Sequence, residues 1–444
     1  MEIWCEYAWL GGDAVTADVV IGVEGERIVT VRVGVAEPPP DAVVLPGYTL
    51  PGLANAHSHA FQRAFRGKAE VGKGTFWTWR ERMYGAASRL DPDSYLELAA
   101  ATFGEMALAG VTAVGEFHYV HHDRDGAPYE DPNAMGAALI EAAGQAGIRI
   151  TLIDACYLHG GIGEELNETQ RRFSDGTAER WAERVDALRA APTARVGAAI
   201  HSVRAVEPEE AAVVAAWARE REVPLHAHVS EQPAENEACR DAYARTPTEL
   251  LAEAGALSER FTAVHVTHPT ASDRQLLGEV GATCCLCPTT ERDLADGIGA
   301  ASRLREAGAR LAVGSDSQAV IDLFEECRAI ELDERLARLE RGNQDAVVLL
   351  GAATSEGQRA IGWPEAGAIE RGRLADLVNL DGGGVRLAGI SPDSALSSIV
   401  FAAGAADVTN VIVGGEFVVR DGRHATIDVE DQLRRSIANL DDRG

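Results

Sequence analysis

Lysine is almost absent from the sequence, since only Lys68 and Lys73 occur among its 444 residues. Both lie early in the chain, shortly after His59. A two-metal hydrolytic site that is bridged by a modified lysine on a middle strand would need a lysine much later in the chain. The scarcity of lysine therefore excludes that kind of site, and any catalytic metal centre is expected to hold one ion.

Long apolar runs and a regular cysteine framework are also missing. No stretch of about 18 uninterrupted apolar residues occurs, so no membrane-spanning helix is expected. Residues 1–6 carry acid rather than base, which argues against a signal peptide. The seven cysteines are odd in number and irregularly spaced, which indicates a reducing compartment, and we expect a cytoplasmic protein. The close group Cys284, Cys285 and Cys287 lacks a second pair of ligands and is interpreted as buried strand residues.

Basic charge is scarce relative to acidic charge. The chain has 41 lysines and arginines against 69 aspartates and glutamates, for a net charge of −28. Such a field repels nucleic acids and anionic membranes, which excludes both as partners. No glycine-rich phosphate-binding loop follows the apolar run at 50–54, which argues against nucleotide binding. An anionic substrate would need arginines placed in the site itself.

What the sequence does contain is an alternation of apolar strand-like runs with helical segments between residues 49 and 372. The first strand leads into His57. The other seven predicted strands cover 112–117, 148–155, 196–200, 223–228, 261–266, 282–287 and 310–314. Eight strand-then-helix units predict an α/β fold, a closed (β/α)8 TIM-type barrel, with a doubly wound open sheet as the alternative.

The two chain ends, residues 1–48 and 373–444, show a different pattern of short strands and Gly-rich turns. Residues 19–23 and 27–33 flank a short Gly-containing loop, which suits a hairpin. Similar short strands are predicted at 377–380, 410–413 and 416–419. We predict that both ends combine into one small β-sandwich module beside the barrel at 49–372.

Histidines collect at predicted strand ends, where the active site of a parallel barrel lies. Ten of the 12 histidines lie at or just beyond such an end. The most informative group is His57-Ser58-His59, because residues i and i+2 of a strand point to the same side and can bind one ion together. For this group taken alone, the alternative is a polar turn with two solvated histidines.

Later strand ends supply the remaining candidate ligands. We predict that His57, His59, His228 and Asp316 bind one metal ion, with water completing the coordination. Imidazole and carboxylate ligands suit zinc, with ferrous iron as the alternative metal. For Asp316 the alternative role is a helix N-cap.

Further strand-end residues are candidates for the chemistry itself. Glu231 lies three residues beyond His228, which suits a proton shuttle. His265 is a candidate for stabilising developing negative charge, and either His265 or Asp316 is expected to help deprotonate the attacking water.

Four other histidines are interpreted as structural. His226 is expected to pack in a second layer, and His268 to form a local hydrogen bond. His121 and His122 predict a loop with solvated or loop-stabilising side chains.

The strand-end pattern resembles a known superfamily. His-x-His on the first strand, His on the fifth and sixth and Asp on the eighth are similar to the amidohydrolases, which are metal-dependent hydrolases and deaminases. Four runs also resemble the formimidoylglutamate deiminase family within it. They are HSHAFQR at 57–63, FWTWRE at 76–81, EFHY at 116–119 and CPTTE at 287–291. The resemblance covers essentially the whole chain, most firmly residues 47–320.

The resemblance implies a homodimer and the hydrolysis of N-formimino-L-glutamate to N-formyl-L-glutamate and ammonia, a step of histidine degradation. It also implies substrate contacts at Gln62, Arg80, Tyr119, His201 and Arg204. The substrate is a small dianion, and each of the two arginines can bind a carboxylate through two hydrogen bonds. For Arg80 the alternative is a surface ion pair with a nearby glutamate.

Two other functions are compatible with the sequence. A deaminase of a heterocycle such as guanine or cytosine would need fewer arginines and more stacking side chains. A non-catalytic barrel would be expected to lose ligands or the shuttle residue, and this chain keeps all of them.

Overall fold

The computed structural model describes residues 1–68, 74 and 76–442. Lys73 lies outside these residues. The strands are β1 Glu2–Ala8, β2 Thr16–Glu24, β3 Arg27–Arg32, β4 Val43–Pro51, β5 Leu53–Ser58, β6 Val111–His118, β7 Arg149–Cys156, β8 Ala194–Ile200, β9 Leu225–Val229, β10 Phe261–His265, β11 Thr283–Leu286, β12 Arg310–Val313, β13 Leu377–Leu380, β14 Val408–Val413, β15 Glu416–Arg420 and β16 Arg423–His424. The α-helices are α1 Phe76–Ala87, α2 Pro92–Leu108, α3 Ala134–Ala146, α4 Ala178–Asp186, α5 Pro208–Glu220, α6 Pro233–Tyr243, α7 Pro247–Glu253, α8 Ala271–Glu279, α9 Pro288–Asp293, α10 Ala301–Glu306, α11 Leu323–Arg338, α12 Ala346–Ala353, α13 Ser355–Ala360, α14 Ala395–Ala402 and α15 Val429–Asp441.

Strands β5 to β12 form a parallel sheet in which each strand pairs with its sequence neighbours. The first and last strands meet through backbone hydrogen bonds next to β12: Asp316 N donates to His57 O at 3.0 Å, and His59 N donates to Asp316 O at 3.0 Å. The sheet is thereby nearly closed. The predicted (β/α)8 barrel is confirmed, and each of the eight predicted strands overlaps an observed one.

Helix α2 shows how the local sequence sets an element of the outer layer. Its N-cap Asp91 accepts a hydrogen bond from Ser94 N at 2.9 Å, and Ser94 Oγ accepts one from Asp91 N at 3.0 Å. Pro92 occupies the first helical turn, where its missing N–H has no cost. Such a cap contributes about 1 kcal/mol to stability. The helix packs against the 3-10 helix Ala60–Phe65, and so supports the segment that follows His59.

The second sheet contains strands from both chain ends in the order β16-β15-β14-β13-β4-β1-β2-β3. The two ends meet where β4 pairs antiparallel with β13, and β2 and β3 form the predicted hairpin. A buried ion pair ties this sheet to the barrel, with Arg149 Nε 2.9 Å from an Asp376 carboxylate oxygen. The domain boundaries at residues 48 and 373 stay predictions.

The cysteines and the helices bear on two expectations from the sequence. All seven cysteines are buried and free, as the interpretation of the 284–287 group requires. Within the described part of the chain, no helix combines the length and apolar character that crossing a bilayer demands.

Candidate metal centre and its cavity

The four predicted metal ligands lie together at the carboxyl end of the barrel. One potential ligand atom from each of His57, His59, His228 and Asp316 lies within 4.8 Å of all the others, and all four residues are buried. The first two point to the same side because they are two residues apart at the end of β5. His228 lies on β9, and Asp316 follows β12.

Backbone carbonyls fix the ring orientation of two of these histidines. His59 Nδ1 lies 2.9 Å from Phe117 O, and His228 Nδ1 lies 2.9 Å from His201 O. Because a carbonyl oxygen only accepts, each Nδ1 carries the hydrogen and each Nε2 presents a lone pair.

The Nε2 atoms of the three histidines and the carboxylate of Asp316 converge on one point. His228 Nε2 is 3.1 Å from His57 Nε2, and Asp316 Oδ1 is 3.3 Å from Nε2 of both His57 and His59. Burial lowers the pKa of His57 to about 3 and also lowers the pKa of His59 and His228. Neutral rings and a carboxylate therefore face one another, and a cation between them relieves their repulsion. The residues present fit a metal ion with nitrogen and oxygen ligands.

The backbone at these strand ends is strained. Ser230, His265, Val266, Asp316 and Gln318 all have positive φ, between 41° and 70°. Val266 is the least expected of them, because it is β-branched. Such residues cost of order 1–3 kcal/mol each, so the strain is concentrated where the strands turn into the loops that hold the candidate site.

A glycine allows the close approach of the first and last strands. A Cβ on Gly314 would lie 2.6 Å from His57 O and 2.8 Å from His57 Cβ. Any larger residue would push β12 away from β5 and would displace Asp316, two residues further on, from the two β5 histidines.

Glu231 and His265 lie beside the ligand cluster. His265 Nε2 is 3.8 Å from both Glu231 Oε1 and Asp316 Oδ2, and His265 Nδ1 is 3.3 Å from Glu291 Oε1. Burial by itself lowers the pKa of His265, but the hydrogen bond with Glu291 and the surrounding carboxylates outweigh it and raise the pKa to about 10. The sequence offered Glu291 only as part of the resembling run CPTTE and gave it no role.

All five predicted substrate contacts line one cavity that also reaches the metal cluster. They are Gln62, Arg80, Tyr119, His201 and Arg204. The same cavity is lined by Glu231, His265 and Asp316. Every predicted site residue therefore lines this cavity except His57, which is fully buried and belongs to the adjoining ligand cluster.

The two arginines of the cavity differ in their partners. Arg204 Nη2 lies 2.7 Å from Glu231 Oε2, and its Nε lies 3.8 Å from Glu235 Oε2. Arg80 has no carboxylate within 4.0 Å among the described residues, and its buried Nε has no hydrogen-bond partner there. Its guanidinium carbon lies 4.5 Å from the ring centroid of Trp77. The alternative of a surface ion pair for Arg80 is thus not what the structure shows.

The four histidines that the sequence predicts to be structural lie outside the ligand cluster. His226 Nε2 bonds to Ala360 O at 3.0 Å and His268 Nε2 to Asp296 O at 2.7 Å, as expected of packing and local roles. His121 and His122 are buried rather than solvated. Their loop-stabilising role is what the contacts show, with His121 Nε2 2.9 Å from Ala155 O and His122 Nε2 3.2 Å from Asp175 Oδ1.

A second group of potential ligands consists of His118, His121 and Asp154. Its carboxylate already has a cationic partner, since Arg184 Nη2 lies 2.8 Å from Asp154 Oδ1. Trp181 Nε1 donates to the same oxygen at 2.9 Å. We therefore interpret this group as a buried ion-pair network and not as a metal centre.

A buried carboxyl group supports the His-x-His segment from behind. Glu116 accepts hydrogen bonds from Ser58 Oγ at 2.6 Å and from Ala60 N at 2.7 Å. Burial raises the pKa of Glu116 to about 8. The sequence offers Glu116 only as part of the resembling run EFHY and does not reveal this role, which depends on the parallel pairing of β5 with β6.

Comparison with known proteins adds four findings. The sequence profile of the Amidohydrolase family matches residues 48–418. The formimidoylglutamate deiminase of Pseudomonas aeruginosa is 41% identical over 395 residues, which cover 86% of each chain. The solved structure of an amidohydrolase from Brucella melitensis superposes with a TM-score of 0.90 at 34% identity, covering 99% of both chains. A zinc-bound adenosine deaminase from Xanthomonas campestris has a TM-score of 0.84 at 24% identity, covering 100% of this chain and 98% of its own, and has the same fold.

Proposed function

Since the chain belongs to the amidohydrolase family, we propose that it hydrolyses N-formimino-L-glutamate to N-formyl-L-glutamate and ammonia, as in histidine degradation. The observation that carries this proposal is the shared cavity. Its lining includes three of the four candidate ligands, the Glu231 carboxylate and both arginines. The 41% identical deiminase relative supports the same substrate.

We further propose one zinc ion per subunit, with ferrous iron as the alternative. His57, His59, His228 and Asp316 would hold it. When bound, such an ion lowers the pKa of a coordinated water to about 7, so that hydroxide is available at neutral pH.

Glu231 is the proposed proton carrier. Its Oε2 is fixed by Arg204, and its Oε1 faces His265. As water adds to the formimino carbon, Glu231 would carry one proton from the water to the nitrogen. It would then carry a second proton from the hydroxyl of the tetrahedral intermediate to the same nitrogen, so that the C–N bond breaks and ammonia leaves. Of the two candidates for assisting deprotonation of the water, Asp316 is preferred, because the raised pKa of His265 keeps its ring protonated at neutral pH. The charged His265 ring would stabilise the negative charge that develops on oxygen.

The remaining cavity residues are proposed to hold the glutamate part of the substrate. In Arg204, Nη2 bonds to Glu231 and Nε lies 3.3 Å from Ser202 Oγ, whereas Nη1 is engaged by no residue in the described part of the chain. That nitrogen can donate to a substrate carboxylate. Gln62, Tyr119 and His201 would fix the substrate's orientation, which can lower the barrier by several kcal/mol.

The test is ammonia release by metal-replete protein from N-formimino-L-glutamate, guanine and cytosine in parallel. We expect release from the linear substrate only. Fast release from a ring compound alone would replace the proposal with a heterocycle deaminase, and no release from any of the three by protein holding stoichiometric metal would favour a binding protein. A cytoplasmic location and a homodimer are further proposals, checked by cell fractionation and by light scattering.

A further inference from the structure

The far wall of the cavity contains a polar group that the proposed function does not use. Gln170 begins the 3-10 helix Gln170–Phe173, which follows β7. Its Nε2 lies 3.0 Å from the hydroxyl of Tyr84, 2.8 Å from the hydroxyl of Tyr157 and 3.2 Å from Gly160 O. Gln170 is 2% exposed, whereas both tyrosines line the cavity.

The direction of the Gln170 amide is set by its neighbours. Its Oε1 accepts a hydrogen bond from Asn167 N at 2.9 Å, and Asn167 Oδ1 accepts one from Gln170 N at 2.9 Å. A backbone N–H only donates, so the NH2 group of the amide must face the tyrosines. Gly160 permits this packing, because a Cβ there would lie 2.3 Å from Glu165 O.

The hydroxyl groups of Tyr84 and Tyr157 carry one hydrogen more than their described neighbours can accept. Toward the two hydroxyls, the NH2 group of Gln170 acts as a donor and never as an acceptor. Each hydroxyl therefore still has its own hydrogen to donate. One tyrosine can donate to the other, but the second hydrogen then has no acceptor among the described residues. At least one O–H of Tyr84 and Tyr157 is therefore available to a hydrogen-bond acceptor in the cavity.

Arg80 lies next to this donor. Its guanidinium carbon is 5.7 Å from the ring centroid of Tyr84. Burial raises the pKa of Tyr157 and lowers the pKa of His201, and the positive charge of Arg80 is close enough to act on both groups as a smaller, lowering influence on each pKa. A free hydroxyl donor is suited to a carboxylate when it lies beside a guanidinium that has no anionic partner among the residues the structure describes.

A series of ring contacts relates the position of Tyr157 to the metal-ligand cluster. The His201 ring lies 5.1 Å from the ring of the ligand His228, and the Tyr157 ring lies 4.5 Å from the His201 ring. Tyr157 is thus one ring beyond His201. A carboxylate held there belongs to the end of the substrate that is remote from the reacting carbon.

We propose that Gln170 is a positioning residue that turns the hydroxyls of Tyr84 and Tyr157 toward the cavity, so that together with Arg80 they bind the remote carboxylate and select dicarboxylate substrates. This inference rests on the proposed function and names a specificity device within the same site. Gln170 itself touches no substrate atom and acts through the two tyrosines.

The test is the substitution Gln170→Glu. The glutamate keeps an acceptor for Asn167 N but draws both hydroxyl hydrogens toward itself. We expect KM for N-formimino-L-glutamate to rise at least about tenfold with kcat changed less than about threefold, since one hydrogen bond to a charged group is lost. KM for N-formimino-L-norvaline, in which a methyl group replaces the remote carboxylate, should not change. Gln145→Glu, on an exposed face of α3, is the matched control and should leave both substrates unaffected.

Tyr157→Phe provides a second test in case Gln170→Glu does not fold. It should raise KM for N-formimino-L-glutamate and leave KM for N-formimino-L-norvaline unchanged. An equal loss for both substrates, or a loss confined to kcat, would overturn the inference and assign Gln170 a structural role.

Calorimetric binding of glutarate makes the inference independent of turnover. Wild-type protein should bind glutarate, and Gln170→Glu should bind it at least about tenfold more weakly. If wild-type protein binds glutarate in this way but releases no ammonia from N-formimino-L-glutamate, the proposed function fails and the dicarboxylate subsite stands. If wild-type protein does not bind glutarate, or if both proteins bind it equally, the inference fails.

Discussion

Arg204 Nη2 lies 2.7 Å from Glu231 Oε2, so one of the two cavity arginines is paired with the proposed proton carrier. Both side chains are largely buried, at 13% and 7% exposed. A guanidinium in this position can hold the Glu231 carboxylate in one orientation and still offer another nitrogen to the substrate. The pair therefore links substrate binding to proton transfer, and the two arginines are expected to behave differently when replaced.

Glu231→Gln removes the proton carrier while keeping its shape. We expect kcat to fall by about 10²–10⁴-fold, the usual contribution of a general acid–base group. Metal content, measured by elemental analysis, should stay at the wild-type level because Glu231 is not among the four converging ligands. Glu237→Gln, on the exposed face of α6, is the matched control, and near-normal turnover by Glu231→Gln would remove Glu231 from the mechanism.

Replacement of the arginines by methionine should separate their roles. Arg80→Met is expected to raise KM about 10–100-fold with little change in kcat, because a charged hydrogen bond to the substrate is lost. Arg204→Met should raise KM and also lower kcat, because Glu231 loses the partner that orients it. Steady-state kinetics of both variants test this difference. An identical effect of the two substitutions on kcat would contradict a role of Arg204 in orienting Glu231.

Removal of the metal by a chelator should abolish turnover and lower the melting temperature. In the absence of a cation the buried Nε2 atoms of His57, His59 and His228 are crowded together beside the Asp316 carboxylate. Binding at 100 to 1,000 times Kd would contribute about 3–4 kcal/mol to the stability. Scanning calorimetry of the chelated protein, before and after zinc is added back, measures this change in stability. A melting temperature that changes with neither treatment would argue against a metal in this cluster.

The stability should also depend on pH through Glu326, which lies on α11 away from the metal cluster. Its carboxyl group accepts hydrogen bonds from Thr289 N at 3.0 Å and Thr289 Oγ1 at 2.5 Å, and burial raises its pKa well above 4.5. The folded state therefore holds the proton more tightly than the unfolded state. The stabilisation that Glu326 gives to the folded state is fully present below the pKa that this group has in the unfolded chain. It is lost as the pH rises through the pKa of the group in the folded protein.

Glu326→Gln, which mimics the protonated form, should remove this loss. Relative to wild type, its free energy of unfolding should rise with pH by up to about 1.4 kcal/mol per pH unit above the unfolded pKa. Urea unfolding at pH 4 and pH 8 measures the effect, with the exposed Glu306→Gln as control. A difference that is equal at both pH values would contradict the raised pKa.

Much of the fold could be predicted because its signals are local. Each barrel strand is a short and largely buried run, and β6 and β7 are buried at every position. His57 and His59 could be paired from their spacing alone. The ion pair between Arg204 and Glu231 could not be predicted, because it joins residues 27 positions apart through the geometry of neighbouring strand ends. Gln170 was missed for the same reason, since only the path of the loop after β7 brings it to Tyr84.

The hydrogen bonds between Asp316 and the His57–His59 backbone have a consequence for how the protein matures. Three of the four candidate ligands are synthesised before the fourth, which comes from beyond the last barrel strand. A growing chain that has completed β11 presents an incomplete chelate and an open barrel edge. We therefore expect high-affinity binding of the proposed metal only after β12 has joined the barrel, so that binding would depend on closure of the ring of strands.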